Sequence, residues 1–161
     1  MHSQRDSGTD VVGVAGHLNL GFFLAGLILM SPMFIALARF ARSEVATKVA
    51  LVTAAGTTLL GVTCITSLVH GADYGFFLVV APLTNAAWLL GSVVLAVLLK
   101  RQSRVPTAVA IGLPVVWITS IPLGTLGGGV ITGAYLLAVG YLLATGGLER
   151  YRGQVASAVQ A

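Results

Sequence analysis

Charged side chains are scarce in this chain. Only 9% of its 161 residues are charged, 9 basic and 5 acidic, while 57% are hydrophobic. Soluble domains carry about 25% charged residues, and a globule of this size cannot hide so much apolar surface from water. The high hydrophobicity and low charge also exclude an intrinsically disordered chain. We therefore expect an integral membrane protein, whose first partner is the lipid bilayer.

Cysteine is nearly absent as well, and its absence excludes several chemistries. Cys64 is the only cysteine, which leaves no disulfide scaffold, no redox couple and no cysteine-rich metal site. The sequence contains neither a phosphate-binding glycine motif with a lysine nor a zinc-protease or serine-elbow motif. Its basic residues are not interleaved with aromatic ones, so we expect no nucleic-acid partner. No metal site is predicted.

The apolar segments contain no acidic residue, lysine or arginine. Ionisable residues inside a membrane mark proton relays, ion pathways and voltage sensors. Their absence here argues against a proton-coupled pump and against a voltage sensor.

The long uncharged runs predict five transmembrane helices. A spanning helix needs about 20 apolar residues, and the uncharged stretch from Val105 to Gly146 is long enough for two of them. Pro122 and the glycines up to Gly129 mark the turn between those two. The predicted spans are 17–38, 49–70, 75–99, 106–121 and 130–145. They form one all-α transmembrane domain over 17–146, between a polar tail 1–16 and a tail 147–161. The alternative is four spans plus a re-entrant tail.

Basic residues predict the orientation of the bundle. With five spans, eight of them fall on one side of the membrane and only Arg5 on the other. Lysine and arginine are enriched on the cytoplasmic side, so the N-terminus is expected outside and the tail 147–161 in the cytoplasm. The first segment is too long for a cleaved signal peptide and is expected to remain as an anchor. The predicted location is the plasma (inner) membrane of a bacterial-type cell, with a multi-pass topology.

Small and weakly polar residues indicate which helix faces meet protein. Membrane helices associate through such side chains, because lipid is as apolar as leucine. In the second segment they fall on one arc, which comprises Thr53, Gly56, Thr57, Thr63, Cys64, Ser67 and His70. In the third segment a stripe of Ala81, Asn85, Trp88, Ser92 and Ala96 lies on one face. We expect Asn85 to face protein and to bond a threonine of the second segment.

Acid–base chemistry has three candidate residues, all near the outer surface. His17 begins the first span, and His70 and Asp73 lie around the end of the second. A carboxylate near an imidazole orients it and raises its basicity. The simpler interpretation is that both histidines are interfacial residues with one wet end. Haem held between His17 and His70 is the one cofactor considered. No other residue supports haem, so no cofactor is predicted.

Ligand binding has four candidate residues. Asn85 lies near the bilayer centre, with Trp88 one turn away, and together they form a polar floor to an outward-facing pocket. Asn19 and Trp117 are expected at the height of the two histidines or a little deeper. The simpler interpretation of Asn85 is a bond that holds two helices together.

These residues leave three functional classes open. The preferred one is a small bundle that binds a lipophilic molecule or a partner membrane protein, including a second copy of itself, through its outward half. The first alternative is a membrane-embedded isomerase or cyclase that uses His17, His70 and Asp73 on a lipophilic substrate. The second alternative is a subunit of an oligomeric transporter. Whether the protein is an enzyme is left undecided by the sequence.

Overall fold

A computed structural model describes residues 13–70, 74–103, 105–123 and 126–160. These ranges contain six helices and no strand: α1 (Gly13–Ala41), α2 (Glu44–His70), α3 (Phe77–Arg101), α4 (Thr107–Ser120), α5 (Gly128–Ala144) and α6 (Gly147–Gln160). Helices α1 to α5 coincide with the five apolar segments of the sequence. The side chains of residues 13–16, 19, 20, 159 and 160 lie outside the description.

The protein is an all-helical membrane protein by the length and composition of its helices. Three of the described helical stretches are long and apolar enough to cross a membrane: Gly21–Ala41, Glu44–His70 and Phe77–Arg101. A fourth span results if α5 and α6, which meet at an angle of 71°, count as one bent pair. α4 is apolar but has only 14 residues.

The sequence did not predict α6. It follows α5 after a two-residue turn at Thr145 and Gly146, and Gly146 has the positive φ of 65° that favours glycine. Leu148 is fully buried, and residues three, four and seven positions later (Tyr151, Arg152 and Val155) are half-buried. This spacing makes α6 an amphipathic helix with one side held against the bundle.

Neighbouring helices in the chain pack against each other, and α1 also contacts α3 and α5. The buried core runs mainly along α1 to α4, with Phe34, Leu95 and Leu113 among its fully buried members. The predicted interior face of α2 is confirmed for every member except His70, which is exposed. The predicted α3 stripe is confirmed too, since Trp88, Ser92 and Ala96 are buried and Ala81 and Asn85 half-buried.

Ser31 holds α1 to α2. Its hydroxyl lies 3.1 Å from the carbonyl oxygen of Ala54, 3.0 Å from Thr57 Oγ1 and 2.8 Å from Thr58 Oγ1. The next residue, Pro32, lacks an N–H and leaves the carbonyl of Ile28 without its helical donor. A break in the hydrogen-bond ladder of α1 therefore lies next to a polar contact between helices.

Glycine allows α2 and α3 to approach closely. A Cβ atom on Gly56 would lie 3.2 Å from the Cβ of Ala87, and one on Gly91 would overlap the hydroxyl of Thr53. Thr53 is fully buried and donates to the carbonyl of Val49. Such close backbone approach is the usual basis of helix association in lipid.

Helices α4 and α5 form a hairpin closed by hydroxyl groups. Thr132 Oγ1 of α5 lies 2.8 Å from Thr119 Oγ1 and 3.0 Å from Ser120 Oγ. Tyr135 donates from its hydroxyl to the carbonyl of Val109 at 2.7 Å. At the turn, a Cβ atom on Gly128 would overlap the carbonyl oxygen of Thr119.

The hairpin yields a test at two adjacent glycines. We expect Gly128→Ala to destabilise the protein by about 1–3 kcal/mol, because overpacking displaces backbone rather than a flexible side chain. Gly129→Ala is the matched control, since a Cβ there meets nothing within 4 Å. Thermal unfolding in mild detergent measures both, and equal melting temperatures for the two variants would contradict this packing.

Candidate functional site

Asn85 and Trp117 join α3 to α4. Trp117 donates from Nε1 to Asn85 Oδ1 at 3.1 Å, and both side chains are half-buried. We call this pair the α3–α4 seam. It confirms that Asn85 faces protein, while its partner is a tryptophan of α4 rather than the expected threonine of α2.

The local backbone of α3 orients the Asn85 carboxamide. Pro82 leaves the carbonyl of Leu78 without its helical donor. Two residues after the proline, Thr84 Oγ1 donates to the carbonyls of Val80 and Ala81 at 2.8 and 3.1 Å. Asn85 Nδ2 also donates to the Ala81 carbonyl, at 2.8 Å. With its amide nitrogen held on its own helix, Asn85 presents its oxygen to α4.

Asn85 retains a hydrogen-bond donor. A carboxamide carries two N–H groups, and the structure uses one of them, on Ala81. Among the described residues, no acceptor is bonded to the second N–H. Asn85 is half-buried, so part of the residue is exposed at the surface of the described bundle.

Trp88 and Ser92 continue the polar stripe into the centre of the bundle. Both are fully buried, and neither Trp88 Nε1 nor Ser92 Oγ has a hydrogen-bond partner among the described residues. A buried donor left unpaired costs about 1–3 kcal/mol. Trp88 was predicted as a ligand residue, whereas Ser92 was only predicted to face protein.

The two histidines lie at the same end of the α1–α2 hairpin. α1 and α2 form an antiparallel hairpin joined by two residues, so the start of α1 and the end of α2 are at similar height. His17 and His70 are both exposed. The His70 ring stacks on Tyr74 at 4.5 Å between centroids, and Tyr74 stacks on Phe76 at 5.7 Å. Tyrosine is enriched at membrane–water interfaces, which fits the place of Tyr74 just before α3.

Two candidate residues fall where the structure gives no description. Asp73 lies outside the described residues, and so does the side chain of Asn19. Their predicted roles, with those of His17 and His70 in acid–base chemistry, stay predictions.

Sequence reasoning missed the polar contacts of the α4–α5 hairpin. Thr119, Ser120 and Thr132 are close in space although 12 and 13 residues separate Thr132 from its partners. The signal available was the turn at residues 122–129, which folds the two helices back on each other.

The chain matches no known family model, and no curated protein or solved structure is significantly similar to it. Its function must therefore be inferred from the side chains described above.

The seam is testable with a double-mutant cycle. We expect Asn85→Ala and Trp117→Phe to be coupled by about 0.6–1.7 kcal/mol, the size of interhelical hydrogen bonds in membrane proteins. Unfolding in mixed micelles measures the four free energies. A second cycle, of Asn85→Ala with Ser31→Ala, is the control and should give a smaller coupling, because Ser31 bonds α2 and shares no partner with Asn85. Additive effects of Asn85→Ala and Trp117→Phe would mean that the hydrogen bond is absent in the membrane.

Proposed function

We propose that the protein is a five-span protein of a bacterial-type plasma membrane that binds a lipophilic molecule at the α3–α4 seam. Its N-terminus lies outside and its C-terminus in the cytoplasm. The observation that carries the binding proposal is the Asn85–Trp117 hydrogen bond, which holds a carboxamide with one spare N–H at a half-buried position.

Five spans are supported by five apolar helices in sequence. α4 and α5 have 14 and 17 residues, or about 21 and 26 Å at 1.5 Å per residue, against a hydrocarbon core of about 30 Å. Short spans are accommodated by local thinning of the bilayer. The hydroxyl contacts between α4 and α5 satisfy the side chains of Thr119, Ser120 and Thr132 inside the hairpin, as a bilayer requires.

Charge and aromatic residues support the orientation. The alternating direction of the helices places seven described basic residues at one end of the bundle: Arg39, Arg42, Lys48, Lys100, Arg101, Arg150 and Arg152. The His70–Tyr74–Phe76 stack lies at the other end. The amphipathic helix α6, bent by 71° from α5, suits a position along the cytoplasmic surface.

The seam has the parts of a binding site for a lipid-like molecule. The spare N–H of Asn85 donates to a polar oxygen, and the indole of Trp117 gives a flat apolar surface beside it. A few placed polar groups among apolar side chains are typical of ligand sites. Access is from the bilayer, beside Leu78, which is exposed and lies two helical turns before Asn85 on the same face of α3.

The positions of Asn85 and His70 favour ligand binding over acid–base catalysis. Asn85 lies eight residues after the start of α3, about 12 Å along the axis, while His70 is exposed at the end of α2 and stacked on Tyr74. The isomerase or cyclase alternative, the transporter subunit and the partner membrane protein stay predictions of the sequence.

The topology is testable by labelling single cysteines with a membrane-impermeant maleimide. We expect Gly75→Cys to react in intact cells, since a side chain there meets nothing within 4 Å. Ser157→Cys should react only after the cells are opened. The wild-type chain is the control, because its Cys64 is buried. Reaction of Ser157→Cys in intact cells would contradict the orientation.

Ligand binding is testable by native mass spectrometry of protein purified in mild detergent. We expect the wild type to retain a discrete lipophilic adduct, and Asn85→Leu to lose most of it because the polar head loses its donor. Leu83→Ala, on the lipid-facing side of α3, is the control and should retain the adduct. The same adducts on all three proteins, or none on the wild type, would refute a site at the seam.

A further inference from the structure

The C-terminal half of α6 projects from the described bundle. α6 packs against α5, and its first turn is held by the fully buried Leu148. Between residues 153 and 158, Val155 is half-buried and the other side chains are exposed. A helix shorter than about 12–15 residues is marginal in water unless its amphipathic face packs on something, and Gly153 lowers its helix propensity further. A surface outside the described chain is therefore needed to stabilise this half of α6.

α6 has an apolar side that continues past its contact with the bundle. Leu148, Tyr151, Val155 and Ala158 are spaced by three and four positions and fall within about 80° of one another around the helix. Ser157 lies on the opposite side. Because α6 is bent by 71° from α5, this apolar side runs across the end of the bundle, along the membrane surface in the topology proposed above.

Positive charge at this end of the bundle is not balanced by the described acidic residues. Glu44 pairs with Lys48 at 2.7 Å, and no second ion pair occurs in the described part of the chain. In α6 itself, Arg150 donates to the carbonyl of Thr145 at 3.1 Å and pairs with no carboxylate. The described basic residues left without an acidic partner at this end are Arg39, Arg42, Lys100, Arg101, Arg150 and Arg152. Such a surface attracts anions.

We propose that α6 is a docking helix for anionic phospholipid headgroups. Its apolar side enters the membrane interface, and Arg150 and Arg152 bind lipid phosphate, which a guanidinium matches with two parallel hydrogen bonds. Arg152 is half-buried at the edge of the apolar side, so its stem covers apolar surface while its charged end reaches the headgroups. Basic amphipathic helices bind anionic lipid surfaces in this way. The proposal rests on the proposed topology and is independent of ligand binding at the α3–α4 seam.

The test uses the full chain in lipid nanodiscs, with an environment-sensitive NBD label on one introduced cysteine. Val155→Cys carries the label on the apolar side of α6, and Ser157→Cys, about 160° away around the helix, is the matched control. The wild-type chain gives the background labelling, because its Cys64 is buried. Each labelled protein is measured in phosphatidylcholine and in a mixture of phosphatidylcholine with phosphatidylglycerol.

We expect the emission of the label at residue 155 to shift to the blue when phosphatidylglycerol is present, while the label at residue 157 keeps the emission of a water-exposed dye. Combining Arg150→Gln with Arg152→Gln should lower the ratio of docked to undocked α6 by about 30-fold, about fivefold for each charge removed near an anionic surface. Arg150→Lys with Arg152→Lys keeps both charges and should retain most of the response.

Three results would overturn the proposal: a label at residue 155 that stays in water in both lipids, one that is equally blue-shifted in both, or a full response in the doubly substituted glutamine variant. They differ from a failure of the topology. If the labels at residues 155 and 157 both report apolar surroundings in each lipid, α6 lies in the hydrocarbon, and the topology is wrong as well. A label at residue 155 that is blue-shifted in both lipids, with residue 157 in water, overturns only the preference for anionic lipid.

Discussion

Hydrocarbon offers no hydrogen-bond partner, and the structure of this protein depends on that constraint. Each polar group inside the bundle must find its partner in the protein, and the helix contacts are built where two such groups meet. Ser31 bonds α2 from α1, Asn85 accepts from Trp117 of α4, and Thr132 of α5 lies on Thr119 of α4. At the contact between α2 and α3, Gly56 and Gly91 let the two helices come close enough for dispersion to hold them together. Against this pattern, the unpaired donors of Trp88 and Ser92 stand out.

Proline and polar side chains occur together in three of the helices. Pro32, Pro82 and Pro114 lie inside α1, α3 and α4, and each leaves one backbone carbonyl without its helical donor. Ser31 directly precedes the first proline. Asn85 follows Pro82 by three residues, and Trp117 follows Pro114 by three. The two halves of the α3–α4 seam therefore occupy equivalent positions on their helices, one turn beyond a break in the hydrogen-bond ladder.

The sequence predicted the parts of the fold that depend on hydrophobicity and spacing. The five apolar segments are helices, and the interior faces of α2 and α3 are confirmed because small and polar residues recur at helical intervals. The predicted partner of Asn85, a threonine of α2, was wrong. The observed partner, Trp117, depends on the rotation and depth of α4, which no local pattern encodes. α6 was missed because its apolar residues are few and its charges resemble those of a tail. The pairing of Thr119 with Thr132 required knowledge of how the hairpin packs.

Ligand binding at the α3–α4 seam, from the side of the bilayer, is the central proposal. A structure determined experimentally with the co-purified lipids in place is the most direct test. We expect Trp117 Nε1 within hydrogen-bond distance of Asn85 Oδ1, and non-protein density whose polar end contacts the second N–H of Asn85. A Trp117 ring turned away from α3, or only unbranched acyl chains along the seam with no polar atom at Asn85, would contradict it.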